Sequence, residues 1–351
     1  MTFEKQVMDP GASRIVFLDG LRGYAIVMVV ATHAIAYANL DNSIVNFLSF
    51  WVQAVAVPPF FLADGFLFVR SLHKKTQFSY IDYCARSARR LLLPWISFSI
   101  LYVMFRAGFE FVGHPQILVV RGHTPGELTN AVYYSSVSAQ LYFLPALFLM
   151  RSISFATRYL TLIRPVGLLV VWLAYVAAWQ VFATGDDQHE QIDPVVNAAW
   201  GMQYYLLGMA LSMYEGELRR SAFLLAGLSL AALVAAKVSG PAWVVLAQYA
   251  YICGLLFTFL GLSGKQNQFT EWGAHTMGIY LIHAPIVVKF VSYLAAMVFD
   301  QSSVVRYLII SSGTFLISLA GVRFFSRFAW WRYMLGEGRK EAVISPRASA
   351  A

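Results

Sequence analysis

Long apolar stretches separated by short polar segments dominate the pattern of the chain. A membrane-spanning helix needs about 20 predominantly apolar residues, and about ten stretches approach this length. Their approximate bounds are 21–40, 45–69, 91–108, 133–150, 165–183, 195–214, 221–238, 241–262, 276–298 and 304–324. Tyrosine, serine and glutamine dilute the fourth and sixth stretches. The pattern predicts an all-α, polytopic integral membrane helix bundle of about ten transmembrane helices.

The composition agrees with a membrane protein. Of the 351 residues, 59% are hydrophobic and 13% are charged, whereas soluble domains carry about 25% charged residues. No polar segment between the stretches exceeds about 24 residues, which is too short to fold as a separate domain. Two cysteines, Cys84 and Cys253, are far apart in apolar surroundings, and we interpret them as packing residues rather than metal ligands.

Basic residues are distributed unevenly among the polar segments. If the N-terminus is cytoplasmic, 21 of the 26 lysines and arginines fall on the cytoplasmic side, in agreement with the positive-inside rule. The five others are Arg106, Arg121, Lys237, Lys289 and Arg306. We therefore predict that both termini are cytoplasmic. The same rule explains the net charge of +8 without nucleic-acid binding.

Three segments follow from this topology. We predict a cytoplasmic N-terminal segment at 1–13, a transmembrane domain at 14–330 and a cytoplasmic, partly disordered tail at 331–351. The segment 185–193 on the opposite side is acidic. A solvated loop is the favoured interpretation of this segment, and a ligand-binding loop is the alternative.

Two ionisable residues lie in the first apolar stretch, LRGYAIVMVVATHA at 21–34. Arg22 and His33 are eleven residues apart, so a helix places them about three turns apart on nearly the same face. Their separation along the axis is about 16 Å. Ionisable groups inside a membrane are costly, and function is their default explanation. A histidine that is hydrogen-bonded between helices is the structural alternative for His33.

The spacing of Arg22 and His33, preceded by LDG at 18–20, resembles the first span of the acyltransferase-3 family. These are integral membrane O-acyltransferases of bacteria that move acyl groups, usually acetyl, onto sugars of surface and exported glycans. Further stretches resemble family signatures in the family's order: PPFFLADGFLFVR at 58–70, YIDYCARSARRLLLPW at 80–95 and HTMGIYLIHAPIVV at 275–288. The resemblance covers residues 14–327.

The resemblance implies which residues carry the chemistry. Arg22 would bind phosphates of cytoplasmic acetyl-CoA, since a guanidinium group matches phosphate geometry. The same role is implied for three arginines of the 80–95 stretch, Arg86, Arg89 and Arg90; anchoring of the loop inside the cell is their alternative. His33 would act as a general base toward a sugar hydroxyl or as a transient acyl carrier.

Three other residues are candidates for the site. Asp64 stands where the family often has serine, and its carboxylate could orient the histidine, bind a hydroxyl or pair with a basic residue. Tyr280 and His283 are three residues apart and therefore share a helical face. Catalytic support and structural hydrogen bonding are both open for His283. Pro285 would loosen the helix and free backbone groups.

We therefore expect a multi-pass O-acetyltransferase of the bacterial inner membrane that uses acetyl-CoA and no metal. The resemblance implies that its acceptor is a hydroxyl of a surface or exported polysaccharide, such as exopolysaccharide, or of a lipid-linked precursor. The implied partners are the glycan, membrane lipids and other polysaccharide-biosynthesis proteins. A proton-coupled transporter of a glycan or small solute is the alternative, with His33, Asp64 and His283 as proton-relay groups.

Overall fold

The computed structural model describes residues 15–74, 79–111, 124–135, 138–182, 193–240, 243–263, 266–298 and 303–335. Within these ranges the chain is predominantly helical and has no β-strand, as the apolar pattern predicted. The N-terminal segment 1–13, most of the acidic loop 185–193 and most of the tail 331–351 lie outside the described residues.

The helices follow one another with short connections. The first half of the chain contains α1 (Val16–Ile35), α2 (Asn42–Gln53), α3 (Pro58–Lys74), α4 (Tyr80–Phe111), α5 (Pro125–Tyr133), α6 (Phe143–Ser152), α7 (Ser154–Thr157) and α8 (Pro165–Phe182). The second half contains α9 (Pro194–Met213), α10 (Glu215–Arg220), α11 (Ala222–Ser239), α12 (Val244–Gly261), α13 (Gln268–Gly273), α14 (Thr276–Ile282), α15 (Val288–Val298), α16 (Val304–Phe325) and α17 (Ala329–Met334). Short 3₁₀ turns lie at Ala139–Tyr142 and Arg158–Leu162, and a π-helical turn lies at His283–Val287.

Eight helical segments of the described chain are long and apolar enough to cross a membrane. They are Val16–Ile35, Asn42–His73, Tyr80–Gly108, Pro165–Phe182, Ala222–Ser239, Val244–Gly261, Thr276–Val298 and Val304–Phe325. This confirms the prediction of a polytopic helix bundle. Two of the ten predicted stretches are not among the eight.

The two stretches that differ are those that polar side chains dilute. Within 133–150 the chain forms α6, which has only 10 residues. At 1.5 Å per residue, α6 is about 15 Å long, which is shorter than a hydrocarbon core of about 30 Å. In place of 195–214 the chain forms α9, a helix of 20 residues, which carries Gln203, Tyr204 and Tyr205 along its length. Of the two stretches, α9 is as long as α1 but less apolar.

Two of the predicted spans are interrupted helices. Between α2 and α3 the chain leaves the helix at 54–57 and resumes at Pro58, because proline is favourable in the first turn of a helix. Between α14 and α15 the interruption is at Ala284, whose φ of −129° and ψ of 149° are extended. Pro285 explains this interruption, because a proline disfavours helical geometry in the residue before it.

Contacts divide the chain into two compact units, and each is described by itself. The first comprises Met1–Lys74, Arg164–Trp172 and Tyr204–Leu319, and the second comprises Lys75–Ile163, Leu173–Gln203 and Ala320–Ala351. In the first unit, α1 packs against α2, α3, α12, α13 and α14. In the second unit, α4 packs against α6 and α17. The helix that carries Arg22 and His33 is therefore surrounded by other helices of its own unit.

Glycines bring α1 and α13 to backbone contact. A Cβ added at Gly23 would overlap the carbonyl oxygen of Phe269, and one added at Gly273 would overlap that of Asp19. Close approach through small residues is a common basis of helix packing in membranes. The position of α1 therefore depends on these two glycines.

A second reciprocal contact joins α3 and α9. A Cβ at Gly65 would overlap the carbonyl oxygen of Tyr205, and one at Gly208 would overlap that of Leu62. Asp64 precedes one of these glycines and is buried. The close approach of the two helices therefore holds the segment that carries this carboxylate.

Replacing Gly208 by alanine should lower the free energy of unfolding by about 1–3 kcal/mol, because the two helices must separate to admit the methyl group. Gly108→Ala is the matched control, since a Cβ there meets nothing within 4 Å. Gly108→Ala should therefore raise the free energy of unfolding by up to about 1 kcal/mol, because alanine has a higher helix propensity than glycine. Thermal unfolding in detergent measures both variants. A Gly208→Ala protein as stable as the wild type would contradict the close contact.

Candidate active site

The ring of His283 is fixed by bonds to the backbone of its own helix. His283 is fully buried, with 0% of its surface exposed. Its Nδ1 lies 2.8 Å from the carbonyl oxygen of Tyr280 and 3.1 Å from that of Ile279. A carbonyl oxygen only accepts hydrogen bonds, so Nδ1 carries a proton and donates it. In the neutral imidazole, Nε2 then carries the lone pair.

Pro285 explains why a carbonyl is available to this ring. In a regular helix the carbonyl of Tyr280 would accept from the amide of Ala284, and that of Leu281 from the amide of residue 285. Pro285 has no amide hydrogen, and Ala284 is extended. The helical ladder ends here, and Nδ1 of His283 donates to the carbonyl of Tyr280. The loosening that the sequence predicted is therefore present, and the histidine compensates for it.

The imidazole rings of His33 and His283 lie side by side, although α1 and α14 are far apart in sequence. The ring centroids are 5.0 Å apart and the planes are inclined by 58°. Nε2 of His283 is buried and has no hydrogen-bond partner among the described residues. His33 also makes no hydrogen bond to any other residue in the described part of the chain. Buried polar atoms are normally paired, so this pair is the strongest candidate for a reactive centre.

Tyr280 lies on the same side of the helix as His283, as their spacing predicted. Its ring centroid is 6.1 Å from that of His283, and its side chain is buried. The carbonyl of Tyr280 orients the histidine through the bond described above. The structure therefore gives the backbone of Tyr280 a positioning role, and a role for its hydroxyl stays a prediction.

Arg22 and His33 belong to one continuous helix, α1. Eleven residues of regular helix separate them by about 16 Å, and their directions differ by only about 20°. Both side chains are partly buried. The track along one face that the sequence predicted therefore has an unbroken helix beneath it, while the roles of the two residues stay predictions.

A pair of tyrosines holds α1 against α12 and was not singled out from the sequence. The hydroxyl oxygens of Tyr24 and Tyr251 are 2.8 Å apart. Trp51 packs edge-on against the ring of Tyr251, with centroids 5.5 Å apart. The two tyrosines are separated by 227 positions, and no local pattern in the sequence connects residues at such a distance.

Asp64 is buried in α3, with 4% of its surface exposed. Among the described residues, neither His33 nor His283 hydrogen-bonds to its carboxylate. The group that orients His283 is a backbone carbonyl instead. A role for Asp64 in orienting His33 or in binding a hydroxyl stays a prediction.

The arginines Arg86, Arg89 and Arg90 lie in the second unit, exposed on the first turns of α4. The sequence predicted a span that begins at 91, whereas the helix begins at Tyr80. The arginines are therefore held on a helix, where Arg86 and Arg89 share a face because they are three residues apart. Phosphate binding by these residues stays a prediction.

Arg70 is engaged in an ion pair. Its Nη1 donates to both carboxylate oxygens of Glu215, at 2.8 and 3.0 Å. Arg219 donates to the same carboxylate at 3.1 Å. These bonds join α3 to α10, so Arg70 has a structural role in addition to its topological one.

An imidazole lone pair can accept a proton from a hydroxyl or attack the carbonyl carbon of an activated acyl group. In the described part of the chain, no group of three or more His, Cys, Asp or Glu side chains is arranged to hold a metal ion. The chemistry that the two imidazoles can supply is proton transfer and nucleophilic attack.

A protein-family model described as an acyltransferase domain matches residues 15–323, which is most of the chain. The chain belongs to the acyltransferase-3 family. This confirms the resemblance seen in the sequence, and the protein is a membrane acyltransferase with several spanning helices. No curated protein and no solved structure matches the chain. The part of this acyltransferase that matches the family includes both imidazoles of the candidate site.

The two nitrogens of His283 can be tested separately in this acyltransferase. In His283→Asn the side-chain amide nitrogen takes the place of Nδ1 and can still donate to the carbonyl of Tyr280. In His283→Gln the amide group takes the place of Nε2 instead. If Nε2 supports the chemistry, the rate of acyl transfer should fall by about 10²-fold or more in His283→Asn, with little change in thermal stability.

The same assay on His283→Gln completes the comparison, since this variant should retain more activity than His283→Asn. Release of the free thiol from an acyl thioester measures the rate, and thermal unfolding in detergent measures the stability. Wild-type activity in His283→Asn would mean that the ring only bonds to the backbone.

Proposed function

We propose that this acyltransferase moves an acetyl group from cytoplasmic acetyl-CoA to a hydroxyl of a surface or exported polysaccharide, or of its lipid-linked precursor. The reaction would take place in the inner membrane of a bacterium. The observation that carries the proposal is the contact between the imidazoles of His33 and His283 inside a helix bundle. Family membership supports an acyltransferase rather than the alternative transporter.

The basic residues support a phosphate-bearing donor. Acetyl-CoA has several phosphates at one end and a thioester at the other. Arg22 would bind phosphate near one end of α1, and about 16 Å of helix would separate it from His33 at the thioester. Arg86 and Arg89, which are exposed on α4, are further candidate phosphate ligands, because a guanidinium group matches phosphate geometry. The positive-inside distribution supports a donor from the cytoplasm.

His33 is proposed as the general base. It accepts the proton of the acceptor hydroxyl while the hydroxyl oxygen attacks the carbonyl carbon of the thioester. A carbon–oxygen bond forms, the carbon–sulfur bond breaks, and the thiolate of CoA leaves and takes up a proton. In the alternative sequence His33 is first acylated and the hydroxyl attacks the acyl-imidazole. Mass analysis of protein quenched before acceptor is added separates the two routes.

His283 is proposed as a positioning residue for His33. With its proton held on Nδ1 by the carbonyl of Tyr280, Nε2 can accept a hydrogen bond from one nitrogen of His33. The other nitrogen of His33 would then present its lone pair to the hydroxyl. The ring centroids are 5.0 Å apart, which supports such a bond between the two imidazoles. Such bonds often tighten only when substrate is present.

Replacing His33 by alanine tests the general base. The assay measures acetyl transfer from acetyl-CoA to oligosaccharides prepared from the glycans of the cell that makes the protein. The rate should fall by about 10²–10⁴-fold, which is the usual contribution of a positioned general base. His73→Ala is the matched control, because His73 is an exposed histidine of α3 and should leave the rate unchanged. Thiol release and the mass of the glycan product are the measurements. Equal rates in wild type and His33→Ala would refute the role of His33.

Replacing Arg86 and Arg89 by alanine tests whether these residues bind the phosphates of acetyl-CoA. The Arg86→Ala, Arg89→Ala double variant should raise KM for acetyl-CoA by about tenfold with little change in kcat, because charge-assisted hydrogen bonds to phosphate are lost. Arg220→Ala is the control, since Arg220 is also exposed on a helix of the predicted cytoplasmic side. An unchanged KM in the double variant would mean that the two arginines only anchor their loop inside the cell.

A further inference from the structure

An apolar groove of about 500 Å³ runs between α11 and α12. Its walls include Leu230, Leu233 and Val234 of α11 and Ala250 and Leu255 of α12. Both helices are long and apolar enough to span a membrane, and only 17% of the apolar window of α11 is buried inside the protein. In a membrane the groove therefore opens toward lipid chains rather than water.

The length of the groove suits a hydrocarbon chain of one membrane leaflet. On α11 its lining extends from Ala226 to Val238, about 18 Å of helix, which is close to one leaflet of a core about 30 Å thick.

Gly227 and Gly254 keep the groove open. A Cβ at Gly227 would meet no atom within 4 Å, and one at Gly254 would meet only the Cβ of Ser229 at 3.3 Å. Neither glycine approaches a neighbouring backbone, in contrast to Gly65 and Gly208. The small size of Gly227 therefore leaves space in the groove, whereas Gly254 also allows α12 to approach Ser229 of α11 closely.

Lys237 lies at one end of the groove. Its Nζ is 3.6 Å from the ring centroid of Phe50, and no carboxylate of a described residue forms a salt bridge with it. It is one of the five basic residues that the predicted topology places away from the cytoplasm, so the positive-inside rule does not explain it. A cation at the edge of the hydrocarbon core attracts lipid phosphate groups.

We propose that the groove binds one acyl chain of an anionic phospholipid, whose phosphate lies at Lys237. The chain would follow α11 from the headgroup level toward Ala226, and the remaining chain of the lipid would lie in the bilayer. Apolar walls, a one-leaflet length and a single cation at one end together match this ligand. The binding is independent of the donor and acceptor proposed above.

The bound lipid would act on the candidate site through Tyr251. The side chain of Tyr251 lines the groove, and its hydroxyl is 2.8 Å from that of Tyr24 on α1. A filled groove would hold Tyr251 in place, and with it the helix that carries His33. The lipid is therefore a positioning element for α1 as well as a ligand.

Native mass spectrometry of the full chain in detergent tests the proposal. Added phosphatidylglycerol should form a one-lipid adduct, and phosphatidylcholine with the same chains should bind about fivefold more weakly, the effect of one basic side chain at an anionic surface. Lys237→Gln should remove this preference, and Lys237→Arg should retain it. Equal binding of the two lipids by the wild type would overturn the proposal.

A variant that fills the groove provides the second test. Gly227→Leu should abolish the adduct, because its side chain enters the space that the acyl chain would occupy. Gly108→Leu is the matched control at an open position of α4 and should leave the adduct unchanged. Unchanged lipid binding in Gly227→Leu would overturn the proposal. If Gly227→Leu does not fold, the lipid preference of Lys237→Gln decides.

Discussion

The hydrogen bond from Nδ1 of His283 to the carbonyl of Tyr280 is the interaction on which the candidate site depends. Inside a membrane, a backbone group that leaves the helical ladder must find its partner within the protein. Pro285 ends the ladder at Ala284, and the imidazole supplies the missing donor. The same bond decides which nitrogen carries the proton, so a requirement of the backbone leaves a lone pair on Nε2 of the ring that packs against His33.

Contacts remote from the imidazoles set the position of His33. In lipid the hydrophobic effect gives little net attraction between helices, so close packing and interhelical hydrogen bonds hold them together. Gly23 brings α1 to the backbone of α13, and Tyr24 bonds to Tyr251 of α12. The placement of a catalytic base to within a fraction of an ångström would therefore depend on glycine and tyrosine residues that perform no chemistry.

The basic residues of the chain share one distribution in the sequence but have different roles in the structure. The positive-inside rule accounts for where most of them lie, but it does not say what each one binds. Arg70 is paired with Glu215, whereas Arg86 and Arg89 are exposed on α4. Lys237 rests on the ring of Phe50 at the end of an apolar groove. Only the tertiary contacts separate a structural cation from one that is available to a ligand.

Local properties of the chain were sufficient to recognise the helix bundle, the family and the helix shared by Arg22 and His33. Hydropathy over about 20 residues, a spacing of eleven and the geometry imposed by Pro285 all act between residues close in sequence. The short α6, the start of α4 at Tyr80, the approach of His33 to His283 and the groove beside Lys237 required the folded structure. Each of these depends on which helices become neighbours, and that choice rests on the summed packing of many distant side chains, which no local pattern encodes.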